Sequence, residues 1–219
     1  MSRVQLVIFD FDGTLVDTAP DLVRTTNIFL RSKGHAGLPP EAIRAEIGMG
    51  LIPLLKNIYP EGFIDPQVQA DAETEFRSLY DSEYLESPTL FDGAREFLDA
   101  WEGQIAIVSN KKVKYIPPIL EKLGAAHYPW RAIIGGDSYP TMKPHPTPFL
   151  AAMEAAQVDP EDTLVVGDGH PDIEGAVAVG CRSVAVEFGY TPIDELMSLG
   201  AWKAIQSFHE LLPLIRQIT

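Results

Sequence analysis

Four carboxylates stand in two short segments of the sequence, at spacings that suit chemistry assisted by a metal ion. Asp10 and Asp12 are two positions apart, and Asp168 and Asp172 are four positions apart. Clustered carboxylates that stay ionised require a cation, and a ligand set made only of oxygen favours Mg²⁺. The cation would also offset their repulsion of a phosphate group. One carboxylate could then attack phosphorus, while a second acid protonates the leaving alcohol and later activates water.

Two further polar sites could bind the group that is transferred. Ser109 and Asn110 are neighbours, and Lys143 lies in a proline-rich stretch. Hydroxyl, amide and ammonium donors stabilise negative charge on the oxygens of a phosphoryl group. These two signals are weak alone, because Ser-Asn also forms an ordinary turn and a lone lysine is commonly solvated. Gly167-Asp168 with Asp172 is a stronger signal, although Gly-Asp also makes ordinary turns. The order of the complete set along the chain carries the prediction.

Short apolar runs precede most of these polar residues and are typical of strands buried on both faces of a parallel sheet. The predicted strands cover residues 4–10, 104–110, 132–137, 163–168 and 183–187. Amphipathic stretches predict helices over residues 93–101, 113–123, 146–157 and 171–179. This alternation predicts an α/β fold with a doubly wound parallel sheet. Ligands of such sheets bind beyond the carboxyl ends of the strands, where the polar residues are expected to meet.

The segment between the first two predicted strands has a different pattern. It contains no convincing strand, and its periodicity predicts helices over residues 21–33, 40–47, 51–58 and 67–84. We therefore predict an α/β core made of residues 1–17 and 88–219, with an inserted helical domain of residues 18–87.

Composition restricts the class of partner. The 219 residues are 46% apolar, enough for a folded core, and 17 basic against 31 acidic residues give a net charge of −14. Nucleic acids and anionic membranes attract basic patches, so we expect neither as a partner.

No apolar run approaches the roughly 18 residues of a membrane helix, and the N-terminus lacks a signal-peptide pattern. With one cysteine, Cys181, no internal disulfide can form. We expect a cytoplasmic monomer or homodimer that acts on a small molecule.

Residues 10–18, which read DFDGTLVDT, resemble the first motif of the haloacid dehalogenase-like hydrolase superfamily. The other polar sites follow in the superfamily's order, and the resemblance covers essentially the whole chain. It implies a Rossmann-like core with an inserted helical cap. It also implies phosphoryl transfer through an aspartyl-phosphate intermediate.

The resemblance gives each carboxylate a role. Asp10 would be the nucleophile, and Asp12 would be the general acid and base. The Asp10 carboxylate, the Asp12 main-chain carbonyl and Asp168 would bind Mg²⁺. Asp172 would support the metal site or hold Lys143.

The remaining polar residues would bind the phosphoryl group. The resemblance implies that Ser109 and Asn110 contact it, and that Lys143 neutralises both the nucleophile and the phosphate. His170 could also act as an acid or base. We favour a passive role for His170, because Asp12 already supplies that chemistry.

Within the superfamily, the closest resemblance is to phosphoglycolate phosphatases. The runs that carry it are GGD at 135–137, KPHPTP at 143–148, GCRSV at 180–184 and FGY at 188–190. The chain departs from that family at Gly169, where serine is more usual, and at His170-Pro171. These positions have no central catalytic role, so the departures bear on the subfamily more than on the chemistry.

Gly48-Met49-Gly50, in the predicted cap, has two interpretations. It could be a plain turn between two helices. Alternatively, it is a specificity loop in which the Gly48 and Gly50 amides approach the substrate when the cap closes. Such amides suit a small anion such as a carboxylate, and the resemblance implies 2-phosphoglycolate as the substrate.

Three other functions are compatible with part of this pattern. A haloacid dehalogenase has no leaving alkoxide to protonate, so Asp12 argues against that activity. A sugar-phosphate mutase shares the catalytic set, but it usually carries an Arg- and Ser-containing loop where this chain has Gly48-Met49-Gly50. A non-catalytic phosphate-binding scaffold would not need the expected residue type at every catalytic position. We predict a phosphoric monoester hydrolase, with mutase and scaffold as the alternatives.

Overall fold

The computed structural model describes residues 4–218 and centres on a six-stranded parallel sheet. The strands are β1 Leu6–Phe9, β2 Val16–Asp17, β3 Thr89–Leu90, β4 Gln104–Val108, β5 Trp130–Ile134, β6 Thr163–Gly167, β7 Arg182–Val186 and β8 Lys203–Ile205. The order across the main sheet is β5-β4-β1-β6-β7-β8. Along the chain the sheet therefore grows first to one side of β1 and then to the other. Ligands bind at such a reversal point in doubly wound folds.

Ten α-helices are present in residues 4–218. They are α1 Ala19–Ser32, α2 Pro40–Arg44, α3 Leu51–Ile58, α4 Pro66–Glu83, α5 Ala94–Ala100, α6 Ile116–Lys122, α7 Pro146–Ala156, α8 His170–Val179, α9 Ile193–Ser198 and α10 Leu211–Ile218. Short 3₁₀ helices cover Pro60–Phe63, Val113–Tyr115, Pro160–Asp162 and Phe208–Glu210. Within the described part of the chain, no helix is both long enough and apolar enough to cross a membrane.

Strand β1 is buried on both faces, as its apolar sequence predicts. Its side chains alternate between two hydrophobic clusters, so that Leu6 and Ile8 pack on one side of the sheet and Val7 and Phe9 on the other. All four are fully buried. At about 1.5–3 kcal/mol for each buried Leu, Ile or Phe side chain, this strand is a main anchor of the fold. It fixes the position of the residues that follow Phe9.

Helices α1 to α4 form a unit that two adjacent connections join to the main sheet and its flanking helices, which we call the sheet domain. The connections pair as a short antiparallel ladder, in which Val16 lies opposite Leu90 and Asp17 opposite Thr89. Helices α1 and α4 pack on each other, and the rings of Phe29 and Phe76 meet edge to face with centroids 5.7 Å apart. We call α1 to α4 the helical insertion.

The predicted α/β fold with a doubly wound parallel sheet is confirmed. All five predicted strands exist, but the third runs over Trp130–Ile134 rather than 132–137, because residues 135–137 turn away at the end of the sheet. The pair β2–β3, strand β8 and helices α9 and α10 were not predicted. The division into separate domains, 1–17 with 88–219 and 18–87, stays a prediction.

Candidate active site

The carboxyl ends of three adjacent strands meet at the reversal point of the sheet. Asp10 follows β1, Ser109 follows β4 and Asp168 follows β6. In the sheet register, Phe9 lies opposite Ile107 on one neighbouring strand and opposite Val166 on the other. The three polar residues therefore leave the sheet at nearly the same level, as the sequence predicts.

A compact carboxylate cluster with one lysine forms the floor of the site. Oxygens of Asp10, Asp168 and Asp172 lie within 4.8 Å of one another, and all three residues are buried. The Lys143 ammonium lies 2.7 Å from Asp10 Oδ1 and 2.5 Å from Asp172 Oδ1. Asp172 Oδ2 also accepts a hydrogen bond from the Gly169 amide at 3.0 Å. Asp172 thus holds Lys143, one of the two roles predicted for it.

Burial sets the protonation behaviour of this cluster. Removal from water, followed by the charge of Asp172, raises the pKa of Asp10 to about 7, although Lys143 acts in the opposite direction. Burial and the charges of Asp10 and Asp172 also raise the pKa of Asp168 well above its usual range. Burial disfavours the charged form of Lys143, but its carboxylate neighbours outweigh this effect and raise the pKa of its ammonium.

Asp168 is held rigidly by groups on two other loops. Thr14 Oγ1 donates to Asp168 Oδ1 at 2.7 Å, and the Tyr190 amide donates to Asp168 Oδ2 at 2.9 Å. The chain comes close to this carboxylate at Gly13, which has φ +83°, and a Cβ there would lie 2.3 Å from Asp168 Oδ2. Only glycine fits at this position.

Asp12 points to a second lysine rather than into the carboxylate cluster. Lys111 Nζ donates to Asp12 Oδ1 at 2.9 Å and to Oδ2 at 3.3 Å, and Thr18 Oγ1 donates to Oδ1 at 2.5 Å. The same ammonium donates to the Tyr80 hydroxyl at 2.7 Å. Tyr80 belongs to α4, so this chain of contacts joins the helical insertion to the sheet domain.

A cavity of about 260 Å³ lies between the helical insertion and the strand ends. Its lining includes Asp10, Asp12, Ser109, Asn110 and Lys111 from the sheet domain, and Gly48, Gly50, Leu54, Phe76 and Tyr80 from the insertion. The predicted nucleophile, the predicted acid and the predicted cap loop therefore share one chamber. A small molecule in it would contact both parts of the chain.

Asn110 and the Gly48-Met49-Gly50 loop touch directly. The Asn110 amide donates to Gly48 O and to Lys143 O, both at 3.1 Å. Gly48 has φ +113° and Gly50 has φ +96°, both in the region that favours glycine. The structure thus brings the predicted substrate-binding residues together, while the role of each in binding stays a prediction.

His170 lies apart from this chemistry. Its Nε2 is 3.0 Å from Glu195 Oε2, and both side chains are about half exposed, at 43% and 53%. A hydrogen bond at the surface accounts for this histidine, which fits the passive role favoured above.

The cluster has the charge and the ligand type that a divalent cation requires. When Asp10, Asp168 and Asp172 are all ionised, they face one ammonium, that of Lys143, which leaves two negative charges to be balanced. The buried Asp10 Oδ1 accepts no well-aligned hydrogen bond, although Lys143 is close. Within residues 4–218, no hydrogen bond reaches the main-chain carbonyl oxygen of Asp12. The ligand set is all oxygen, which fits Mg²⁺.

Five residues that bond to Asp12, Asp168 or Lys111 had no predicted role. Thr14, Thr18 and Tyr190 lie in runs that carried the family resemblance, and Lys111 directly follows Ser109-Asn110. Their places in these motifs could have identified them as residues of the site. Tyr80 had no signal, because its contact with Lys111 joins residues 31 positions apart on different elements.

The family of the chain follows from a comparison of its sequence with known families. The sequence pattern of the family described as haloacid dehalogenase-like hydrolase matches residues 7–186. The chain belongs to the haloacid dehalogenase-like hydrolases. The match spans both the carboxylate cluster and the helical insertion, so the predicted family membership is confirmed.

Relatives of this hydrolase carry a more specific name. A phosphoglycolate phosphatase of Nitrosospira multiformis is 33% identical, over 98% of this chain and 96% of its own length. Phosphoglycolate phosphatase 1 of Pseudomonas aeruginosa is 32% identical, over 97% of this chain and 80% of its own length. The crystal structure of a predicted phosphoglycolate phosphatase from Haemophilus somnus superposes with a TM-score of 0.89 at 26% identity, covering 98% of this chain and 99% of the other. The prediction of a phosphoric monoester hydrolase is confirmed.

Proposed function

We propose that this hydrolase is a Mg²⁺-dependent phosphatase that cleaves 2-phosphoglycolate through a phosphorylated Asp10. The observation that carries the proposal is the buried arrangement of Asp10, Lys143, Asp168 and Asp172 at the reversal point of the sheet, in which Asp10 faces a cavity that Asp12 also lines. Burying such a cluster costs free energy of folding. Buried groups with strongly shifted pKa values are typical of active sites.

The metal site would be formed by the Asp10 carboxylate, the Asp12 main-chain carbonyl and Asp168. A bound Mg²⁺ supplies positive charge that draws the phosphate group in and stabilises the charge that develops on its oxygens. Asp168 is suited to this role because Thr14 and Tyr190 already fix its orientation. Asp172 keeps Lys143 beside the nucleophile.

In the first half of the reaction, an oxygen of Asp10 attacks phosphorus. The new bond forms as the bond from phosphorus to the ester oxygen breaks, and Asp12 gives its proton to that leaving oxygen. Lys143 and Ser109 stabilise charge on the phosphoryl oxygens. The products of this step are an alcohol and a phosphorylated Asp10.

In the second half, Asp12 accepts a proton from water as the water oxygen attacks phosphorus. The bond between phosphorus and Asp10 breaks, which releases inorganic phosphate and restores the Asp10 carboxylate. Asp12 ends the cycle protonated and ready to act as an acid again. One carboxyl group thus serves both halves of the reaction.

Two features support 2-phosphoglycolate as the substrate. The relatives described above are named phosphoglycolate phosphatases. The cavity of about 260 Å³ suits a compact monoester, and it includes Gly48 and Gly50, whose amides could approach an anionic group without an intervening side chain. A protein or nucleic acid substrate would not fit in a chamber of this size between the helical insertion and the strand ends.

A panel of small phosphate monoesters tests the proposal. We expect kcat/KM for 2-phosphoglycolate to exceed that for sugar phosphates, nucleotides and pyrophosphate. Excess EDTA should abolish turnover of every substrate, and Mg²⁺ should restore it. Several sugar phosphates ranking above 2-phosphoglycolate would contradict the substrate, and full activity in EDTA would contradict the metal.

A further inference from the structure

Lys111 is a buried cation whose position the proposed reaction leaves unexplained. It follows β4 directly after Ser109 and Asn110, and its side chain is only 5% exposed. The residue lines the same cavity as Asp10 and Asp12. Burying an ammonium costs free energy unless nearby groups compensate its charge, so the groups around Lys111 indicate its role.

An ammonium has three N–H donors, and protein groups account for two of those on Lys111. One interacts with the Asp12 carboxylate at 2.9 and 3.3 Å, and one bonds to the Tyr80 hydroxyl at 2.7 Å. Lys111 Nζ also lies over the Tyr80 ring, 4.8 Å from its centroid, and 5.9 Å from that of Tyr115. Within residues 4–218, no protein atom takes the third donor.

The contact with Asp12 determines where that third donor lies relative to a substrate. In the proposed reaction, the Asp12 carboxyl group touches the ester oxygen that leaves. The Lys111 ammonium, 2.9 Å from the same carboxyl group, is then beside the substituent on that oxygen. In 2-phosphoglycolate this substituent is a single CH₂ that carries the carboxylate, which lies two bonds from the leaving oxygen.

We propose that Lys111 is a specificity-determining residue whose free donor binds a carboxylate on the carbon next to the ester oxygen of the substrate. The inference rests on the proposed function, because it takes Asp12 to contact the leaving oxygen. It narrows the substrate class to phosphate esters of 2-hydroxy acids. A carboxylate one carbon further from phosphorus would be out of register with the ammonium.

Two other cations line the cavity and could compete for this role. The nearest acidic group to Arg77 is Glu73, at 3.7 Å, and the Arg77 side chain is 26% exposed. Lys112 is half-buried. Lys111 differs from both because Asp12 from the sheet domain and Tyr80 from the helical insertion fix it in place. A cation that is already ordered loses little further entropy when it binds a ligand.

The contact with Tyr80 makes the subsite depend on both parts of the chain. A contact with Asp12 alone would hold the long Lys111 side chain at one point only. The Tyr80 hydroxyl on α4 provides a second point of contact. Tyr80 is therefore a positioning residue for Lys111. Removing only its hydroxyl should weaken the subsite while leaving the aromatic face under the ammonium.

The test measures kcat/KM for 2-phosphoglycolate, ethyl phosphate and 3-phosphonooxypropanoate. Ethyl phosphate has the same length without the carboxylate, and the third compound has one additional CH₂. Each enzyme is described by the ratio of its value for 2-phosphoglycolate to its value for ethyl phosphate. Because both substrates release an alkoxide that Asp12 must protonate, a disturbance of Asp12 affects both values and largely cancels in this ratio.

Lys111→Met should lower the ratio about 10- to 100-fold, the range for a lost hydrogen bond between charged groups in a buried site. Tyr80→Phe should lower it by a smaller factor, and Lys112→Met, the neighbouring cavity lysine, should leave it unchanged. For the wild type, 3-phosphonooxypropanoate should resemble ethyl phosphate rather than 2-phosphoglycolate.

An unchanged ratio in Lys111→Met would overturn the inference, as would a collapse of the ratio in Arg77→Met or Lys112→Met instead. If Lys111→Met does not fold, Tyr80→Phe decides, and an unchanged ratio there also overturns it. A wild-type ratio near one is a different result, because it contradicts 2-phosphoglycolate as the substrate of the proposed function. The two failures are therefore distinguishable.

Discussion

The Asp10 carboxyl group experiences opposed forces that a metal ion would relieve. Burial and the neighbouring carboxylates favour its protonated form, while Lys143 favours the carboxylate, and the outcome is a pKa of about 7. The usual value of an aspartate in an unfolded chain is ~3.9. The folded, metal-free protein therefore holds a proton over a pH range in which the unfolded chain has already released it.

The stability of the metal-free protein should therefore fall as pH rises from about 4 to about 7. A group whose pKa is raised by folding stabilises the native state only while it is protonated. Mg²⁺ competes with that proton, so it should raise Tm more at pH 8 than at pH 5.5. Each pKa unit corresponds to ~1.4 kcal/mol, or about 3–6 °C for a chain of this size, and we expect at least that difference.

Differential scanning calorimetry in EDTA and in MgCl₂ measures this effect. A NaCl sample at matched ionic strength controls for screening of the surface charges. Equal stabilisation by Mg²⁺ at the two pH values would show that the cation does not bind at the Asp10 cluster.

At the residue scale, the sequence identified the acids and Lys143. It did not show that Asp12 pairs with a different lysine, Lys111. Asp10, Asp168 and Asp172 were expected together, and they are. The approach of Lys111 to Asp12 was not predicted, because a lysine after a strand looks the same whether it is solvated or buried. Only tertiary contacts distinguish those two states.

At the element scale, the loop between α2 and α3 brings the helical insertion into contact with the residues that follow β4. Gly48 O accepts a hydrogen bond from Asn110, and Gly48 and Gly50 both line the cavity. A Cβ at Gly48 would meet no atom within 4 Å, so substitution there changes only backbone conformation. The same holds at Gly34, in the loop between α1 and α2, which has φ +82°.

Gly48→Ala and Gly34→Ala therefore form a matched pair. Each places a side chain at positive φ, at a cost of about 1–2 kcal/mol in stability. Only Gly48→Ala should alter the substrate chamber, where we expect KM for 2-phosphoglycolate to rise by about 10-fold or more. KM for nitrophenyl phosphate should change little in either variant. Steady-state kinetics that show equal effects of the two substitutions would identify the loop as a plain turn.

Sequence patterns predicted the long elements well and the short ones poorly. The helix expected over 51–58 is observed as Leu51–Ile58, and the one expected over 67–84 as Pro66–Glu83. In contrast, β2 and β3 have two residues each, too few to show a periodicity. Strand β8 has three residues, with an exposed Lys203 and a half-buried Ala204. These elements form because neighbouring strands and loops pair with them.

At the scale of the whole molecule, the net charge of −14 opposes the approach of a phosphate. Any phosphate site must therefore be local. The sequence alone does not show how such a site forms, because Lys111 and Lys143 come from different loops and meet the acids only in the fold. The sheet brings Asp10 and Asp168 together, and the helical insertion adds Tyr80 above them.

Identification of the phosphorylated residue tests the central claim most directly. In Asp12→Asn, attack by water should slow more than phosphorylation by nitrophenyl phosphate, whose leaving group needs little protonation. The variant, mixed with nitrophenyl phosphate and Mg²⁺ and quenched in acid, should therefore carry a hydroxylamine-sensitive phosphate. Mass spectrometry of its peptides should place that phosphate on Asp10, and the double variant with Asp10→Asn should carry none. A phosphate on another residue, or turnover by Asp10→Asn at the wild-type rate, would contradict the account.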